Sequence, residues 1–308
     1  MVLSVSRRTD IPNYYAEWWL NRLKEGYVLV RNPRNPRQVS RLVLPREAID
    51  CMVFWTKNPA NMMQRLEQLR DYCFYFQFTL TGYGPEIEPG LPDKESLIAV
   101  FQELSKRIGR QRVIWRYDPI FLSGKYSMQF HKQAFAAMSR KLCGFTERVV
   151  ISFLDLYRKI EQTTRELGLR VPCREEMLEL AGELAELASA ADMKIQACAE
   201  ALNLTDVGIE AGSCIDRDLI ERLTGREMKK GRAAGQREAC GCMESIDVGA
   251  YDTCLCGCRY CYAARGTRMA TGRQYDPKAP MLFGQVLPGD RVTTRECGSW
   301  STGQLRLW

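Results

Sequence analysis

Histidine is almost missing from this chain: among 308 residues, His131 is the only one. Zinc catalysis through several imidazoles is thereby excluded, and a serine–histidine–aspartate triad would have to rest on that single ring. His131 lies in the helix-like stretch FHKQAFAAM, so a packed or surface role is expected of it. No apolar run approaches membrane-spanning length, which argues against a transmembrane helix. The opening Met-Val-Leu-Ser-Val-Ser-Arg-Arg lacks the basic-then-apolar layout of a secretory signal. There is no obvious internal repeat and no long low-complexity segment.

What is present is an ordinary globular composition, 45% hydrophobic and 26% charged, in a chain long enough to bury a core without staples. Cysteine departs from the ordinary. There are 13, an odd number, so complete pairing within one chain is impossible. This fits a reducing cytoplasm, where clustered thiols hold metal or do redox work. The formal charge of +7 is spread along the chain, which suits an anionic small molecule as well as nucleic acid.

Strand-like runs recur with helical stretches between most of them: VLSVS from Val2, MVFW from Met52, FYFQFTL from Phe74, VIWRY from Val113, VVISF from Val149 and KIQAC from Lys194. Such continuous apolar runs suit strands covered on both faces. Asp93 is placed to cap a helix carrying Leu97, Val100, Phe101, Leu104 and Ile108, closed by Gly109. A second helix carries Ala134, Met138 and Leu142 before Gly144, and a third runs from about Arg174 to Ala191. The class is α/β, with a partial or complete TIM-like (β/α) barrel as the simplest architecture.

Polar residues stand just after the strands: Arg7, Arg8, Thr9 and Asp10; Thr56 and Lys57; Thr81 and Tyr83; Arg116 to Asp118; Asp155; Cys198 and Glu200. Strand ends of this kind converge on the active face of a barrel. Arg7, Arg8, Lys57, Arg116, Asp118 and Glu200 are therefore expected to position a substrate, one with carboxylate or phosphate groups. Taken singly, each also fits a helix cap or an ion pair. Trp18, Trp19, Trp55 and Trp115 read as core, and Arg295 and Ser299 as surface.

From about Gly225 the texture changes, and a boundary is expected near Gln236. Residues 1–235 read as the barrel domain, and 236–308 as a cysteine-rich segment continuing into an irregular cap over its mouth. Within this segment Cys254, Cys258 and Cys261 have the spacing C-x3-C-x2-C. Three thiolates on one loop can ligate three irons of a four-iron, four-sulfur cluster and leave the fourth iron open. An open iron can chelate S-adenosylmethionine and pass one electron into its sulfonium. Cys256 is an extra thiol in the loop, and a ligand set that uses it also fits. A second set, Cys198, Cys214, Cys240 and Cys242, can enclose an auxiliary iron–sulfur cluster, hold structural zinc, or stay unligated. Cys51, Cys73, Cys143, Cys173 and Cys297 are scattered and are expected to be small buried hydrophobes.

The spacing, with aromatic Tyr260 immediately before the last cysteine, resembles the signature of radical S-adenosylmethionine enzymes. The core Gly257-Cys258-Arg259-Tyr260-Cys261-Tyr262 is also similar to the corresponding loop of spore photoproduct lyase. This resemblance implies that Tyr260 packs beside the adenine, and that an electron donor such as a flavodoxin or ferredoxin reduces the cluster. That superfamily usually places the loop after the first strand, whereas here it follows the whole strand–helix series. Nearly end to end, the chain resembles a bacterial family known only as domain of unknown function 1848. The resemblance rests on SRRTDIP at Ser6, VFWTKNP at Val53, FQFTLTGYG at Phe76, VIWRYDPI at Val113, VVISF at Val149, and GCMESIDVGAYDTC at Gly241. It implies no particular reaction. Three outcomes stay open: reductive cleavage of the cofactor to act on a substrate, transfer of its aminocarboxypropyl group, or a non-catalytic zinc or iron–sulfur module.

Overall fold

The computed structural model describes residues 1–231, 239–264 and 275–306. Their strands are β1 (Val2–Val5), β2 (Tyr27–Arg31), β3 (Gln38–Val43), β4 (Cys51–Thr56), β5 (Phe74–Thr79), β6 (Val113–Ile120), β7 (Arg148–Phe153), β8 (Lys194–Cys198), β9 (Glu210–Gly212), β10 (Arg226–Met228), β11 (Ile246–Asp247), β12 (Arg291–Arg295) and β13 (Ser301–Leu305). The helices are α1 (Ile11–Tyr14), α2 (Ala16–Glu25), α3 (Ala60–Met63), α4 (Lys94–Ile108), α5 (Met128–Leu142), α6 (Glu161–Glu166), α7 (Arg174–Ala190) and α8 (Arg217–Thr224). All six strand runs read from the sequence form strands, and the three expected helices are α4, α5 and α7. Asp93 caps α4 by accepting the Ser96 N–H at 2.9 Å, and Gly109 ends it at φ +93°.

Eight strands lie parallel in one sheet, in the order β11, β1, β4, β5, β6, β7, β8, β9. Side chains alternate between its faces. Leu3, Val5, Met52, Phe54, Phe76, Phe78, Trp115 and Ile151 share the main core with Phe101 of α4, Phe135 of α5 and Leu184 of α7. The other parity, Val2, Cys51, Val53, Tyr75, Ile114, Val150 and Cys198, forms a second core with Leu219 and Ile220 of α8 and with Met243. Both faces are covered, which is why the strands read as unbroken apolar runs.

Of the partial or complete barrel expected from the sequence, closure is not formed: the parallel sheet is open, with β9 and β11 at its edges. These strands are only three and two residues long. Beside them the chain makes other bonds: Met243 N–H donates to the Ile215 carbonyl at 3.1 Å, and Ile215 N–H to Cys242 Sγ at 3.3 Å. The edge strand β11 pairs with β1 through Leu3↔Ile246 and Ser4↔Asp247. Asp247 fixes it there, accepting from Ser4 Oγ at 2.9 Å, Ser6 Oγ at 2.6 Å and Arg7 N–H at 2.8 Å. Gly249 must lack a side chain for this approach, since a β-carbon would fall 2.1 Å from Ser6 Oγ.

The C-terminal stretch contains strands as well as irregular backbone. β12 runs parallel to β3, itself antiparallel to β2, and β13 pairs with β10. The expected boundary at 235/236 lies outside the described residues. No helix among the described residues is long and apolar enough to cross a membrane.

Candidate functional site

The inward parity that fills the second core continues one step further at the C-terminal strand ends, and there it turns polar. Ser6, Trp55, Thr79, Arg116, Asp118, Ser152 and Cys198 face a cavity of about 870 Å³. Arg7, Arg8, Asp10, Lys57, Tyr260 and Tyr262 also line it, as do Cys214, Cys240, Cys242, Cys254, Cys256, Cys258 and Cys261. Among the site residues expected from sequence, Glu200 alone is not part of this lining. Its Oε1 accepts the Phe153 N–H at 2.7 Å and so ties the chain after β8 to the end of β7.

Arg116 is buried and lines the cavity. Its Nε donates to Asp118 Oδ2 at 3.0 Å, and its Nη1 to Cys214 Sγ at 2.8 Å. Asp118 also accepts from Ser152 Oγ. Trp55 packs against the second core, in keeping with the core reading, and also lines the cavity, with the guanidiniums of Arg7 at 5.1 Å and Arg116 at 5.3 Å from its ring centroid. Trp18, Trp19 and Trp115 are core residues as expected. Arg7 Nη2 and Trp55 Nε1 are buried and have no hydrogen-bond partner among the described residues. Arg8 stands 3.8 Å from Asp247, with its guanidinium over the ring of Tyr251.

Sequence reasoning missed the residue that organises the opposite wall. Glu88 follows Gly84 and Pro85 in a turn after β5, and nothing in that turn advertises a buried charge. Lys57 Nζ donates to its Oε1 at 2.8 Å, Thr81 Oγ1 to the same oxygen at 3.1 Å and the Tyr260 hydroxyl to it as well, while Lys94 Nζ donates to Oε2. Burial alone would raise the Glu88 carboxyl, but the Lys57 and Lys94 ammonium groups outweigh it and hold the group at about 2. Burial disfavours the Lys57 charge too, and Glu88 overcomes this, so Lys57 is raised. Tyr260 is thus anchored by its hydroxyl, with its ring centroid 5.9 Å from Tyr83 and 6.0 Å from Phe121.

The thiols form two groups. In the first, Cys256 stands close enough to Cys254 and Cys258 for their thiols to influence its own, and its Sγ is 3.8 Å from Asp10 Oδ2. Asp10 caps α1 and accepts the Lys57 N–H at 2.8 Å, and burial raises its carboxyl to about 6. Gly90 lets the loop settle. Its N–H donates to the Cys256 carbonyl at 3.0 Å, and a β-carbon there would come within 2.6 Å of that oxygen. Cys261 is close enough to Cys258 and Cys254 to feel their charge, although burial is the larger reason its thiol is pushed up to about 12.

The second group runs in a row: Cys198 Sγ lies 2.8 Å from Cys214 Sγ, Cys214 meets Cys242, and Cys242 meets Cys240. Among the described residues, no three His, Cys, Asp or Glu side chains are placed to ligate a single metal ion. A cluster makes a different demand, since each thiol takes its own iron around a shared space. Soft thiols lining a cavity beside guanidinium groups match that donor chemistry.

Of the scattered cysteines, Cys51 is buried, whereas Cys143 and Cys173 are exposed, correcting the expectation for them. Both sit at helix termini, Cys143 after α5 and Cys173 at the start of α7, where the chain runs along the surface. His131 is fully buried. Its Nε2 faces the Phe121 carbonyl at 2.8 Å and must carry the proton, so Nδ1 accepts from the Tyr117 hydroxyl at 2.9 Å. Burial lowers its pKa to about 4, as befits a neutral structural ring. Arg295 lies 3.7 Å from Glu244, and Ser299 Oγ donates to Asp50.

Fold and site together define a class: an α/β protein whose parallel sheet carries a thiol-rich, cationic cavity at its strand ends. More particularly, residues 2–263 match the family described as Domain of unknown function (DUF1848), and the chain belongs to that family. The matched region takes in all eight cavity cysteines. No curated protein matches the sequence.

Proposed function

We propose that this chain is a radical S-adenosylmethionine enzyme, working in a reducing compartment on a polar or anionic substrate. Cys254, Cys258 and Cys261 would hold a four-iron, four-sulfur cluster. When bound, such a cluster supplies one electron, received from a flavodoxin- or ferredoxin-class donor, to cleave the cofactor and begin radical chemistry on the substrate. The observation that carries the reading is that these thiols share one cavity with Arg7, Arg8, Lys57 and Arg116 at the ends of parallel strands.

The late position of the loop fits the reading as well. Because β11 pairs directly with β1, the loop leaves the sheet beside its first strand, and the architecture acts as a partial barrel. Arg7 and Arg8 line the cavity and offer cationic groups for a carboxylate or phosphate. Arg116 is oriented by Asp118, and Lys57 is kept charged by Glu88 beside the Tyr260 ring, with Nζ 5.5 Å from its centroid. Tyr260, held by Glu88, would form the wall against the adenine. Glu200 fixes the backbone between β7 and β8 from outside the cavity lining.

The test is product analysis after anaerobic reconstitution with iron and sulfide, using dithionite and S-adenosylmethionine. The expected result is 5′-deoxyadenosine from the native protein and none above background from Cys258→Ala. Methylthioadenosine would instead indicate aminocarboxypropyl transfer. Zinc without iron, or unchanged cleavage in the variant, would remove the loop from the mechanism.

A further inference from the structure

The open side of the sheet is where the second thiol group collects. Cys198 ends β8, Cys214 follows the edge strand β9, and Cys240 and Cys242 precede the other edge strand, β11. We infer that these four thiols hold a second iron–sulfur cluster, which joins the two edges of the sheet beyond the backbone bond from Met243 to Ile215.

Three features make this a built site. The first is close backbone approach. Gly212 and Gly241 flank the thiols, and β-carbons at these positions would fall 2.8 Å from Gln196 Cβ and 2.6 Å from Ser213 Oγ. The glycine at 241 is what lets the Cys240–Cys242 segment lie against the chain bearing Cys214. The second feature is anchorage: the Cys214 carbonyl accepts from the Tyr75 hydroxyl at 2.7 Å and from Gln77 Nε2 at 2.8 Å. Both donors project from β5 on the inward parity, so Cys214 is fixed to the sheet itself. The third is donors aimed at sulfur. Arg116 Nη1 reaches Cys214 at 2.8 Å, and the Ile215 N–H reaches Cys242 at 3.3 Å. Hydrogen bonds of this kind stabilise thiolate ligands and tune cluster potentials.

The chemistry favours a cluster over zinc. One residue separates the Cys240–Cys242 pair, shorter than the two-to-four-residue separation of structural zinc knuckles. No three of the thiols are set about a single point, whereas together they face a space shared with the first group. With four protein thiolates the site is coordinatively closed, so it chelates no sulfonium cofactor. Each thiol releases its proton as it binds, and cluster assembly is thereby coupled to docking of residues 239–243.

This inference stands apart from the proposed reaction and is tested without it. The Cys254→Ala/Cys258→Ala/Cys261→Ala variant, purified anaerobically and reconstituted with iron and sulfide, is expected to keep about two to four irons per chain with matching sulfide. Adding Cys198→Ala and Cys242→Ala to that variant should remove them. A triple variant devoid of iron and sulfide, or carrying zinc alone, would overturn the inference. Should the five-fold variant fold poorly, the triple variant alone decides, because it leaves the first group with the single thiol Cys256, too few ligands to hold a cluster. A native protein that cleaves no cofactor, beside a triple variant that holds iron, would sink the proposed reaction and leave this site standing.

Discussion

Glu88 is 2% exposed and carries a full negative charge, yet four side chains turn to it. Removing one partner from such a buried ionic group leaves the other uncompensated, and Glu88→Gln is expected to cost about 3 kcal/mol in urea unfolding at neutral pH. The pH dependence follows from its depressed pKa, about 2 against the ordinary 4.5. Above about 4.5 both folded and unfolded forms are ionised and the contribution is complete. As the pH falls toward 2, the unfolded chain takes up its proton first, and the contribution is lost. Stability of the native protein should decline across that window, and the Glu88→Gln profile should be flatter there; equal slopes would show that Glu88 is not ionised by its lysines. At this scale the cations after the strands were legible, because charge at a strand end has few uses. Glu88 and the place of Trp55 in the cavity lining were not. Nothing local marks a carboxylate in a Gly-Pro turn as buried, and parity alone does not say that Trp55 lines the cavity as well as packing on the core.

Among the elements, β11 does more than its two residues suggest. Pairing with β1 brings the cysteine loop to the strand ends, and Asp247 supplies the bonds that hold it. Asp247→Ala is expected to lower iron retention by about tenfold, the size of effect seen when residues that orient metal ligands are lost. The circular dichroism of the sheet should stay unchanged, and proteolytic cleavage within 239–264 should quicken. Unaltered iron retention and cleavage would show that the loop is held by other means. The six longer strands of the parallel sheet declared themselves through runs of Val, Ile and Phe, and α4 through its cap and spacing, whereas β2, β3, β12 and β13 did not. A two-residue strand has no period to detect; its place depends on β1, some 240 residues earlier in the chain. The same holds for β9, so closure of the sheet could not be read from the sequence.

Across the whole molecule, one chain brings eight thiols and five cationic side chains (Arg7, Arg8, Arg34, Lys57 and Arg116) to one cavity, with helices covering the outer face of the sheet and α8 filling the inner face below. The C-x3-C-x2-C spacing made the first thiol group legible as a unit. The convergence of the second, drawn from three separated places, depends on the sheet order and on Gly212 and Gly241. The central claim is that three loop thiols leave one iron open to a sulfonium cofactor. Its most direct test is the electron paramagnetic resonance spectrum of the reconstituted, dithionite-reduced protein before and after addition of S-adenosylmethionine. The account expects a cluster signal that shifts on addition in the native protein, and in which the shifting component is absent from Cys258→Ala. A signal indifferent to the cofactor would contradict it.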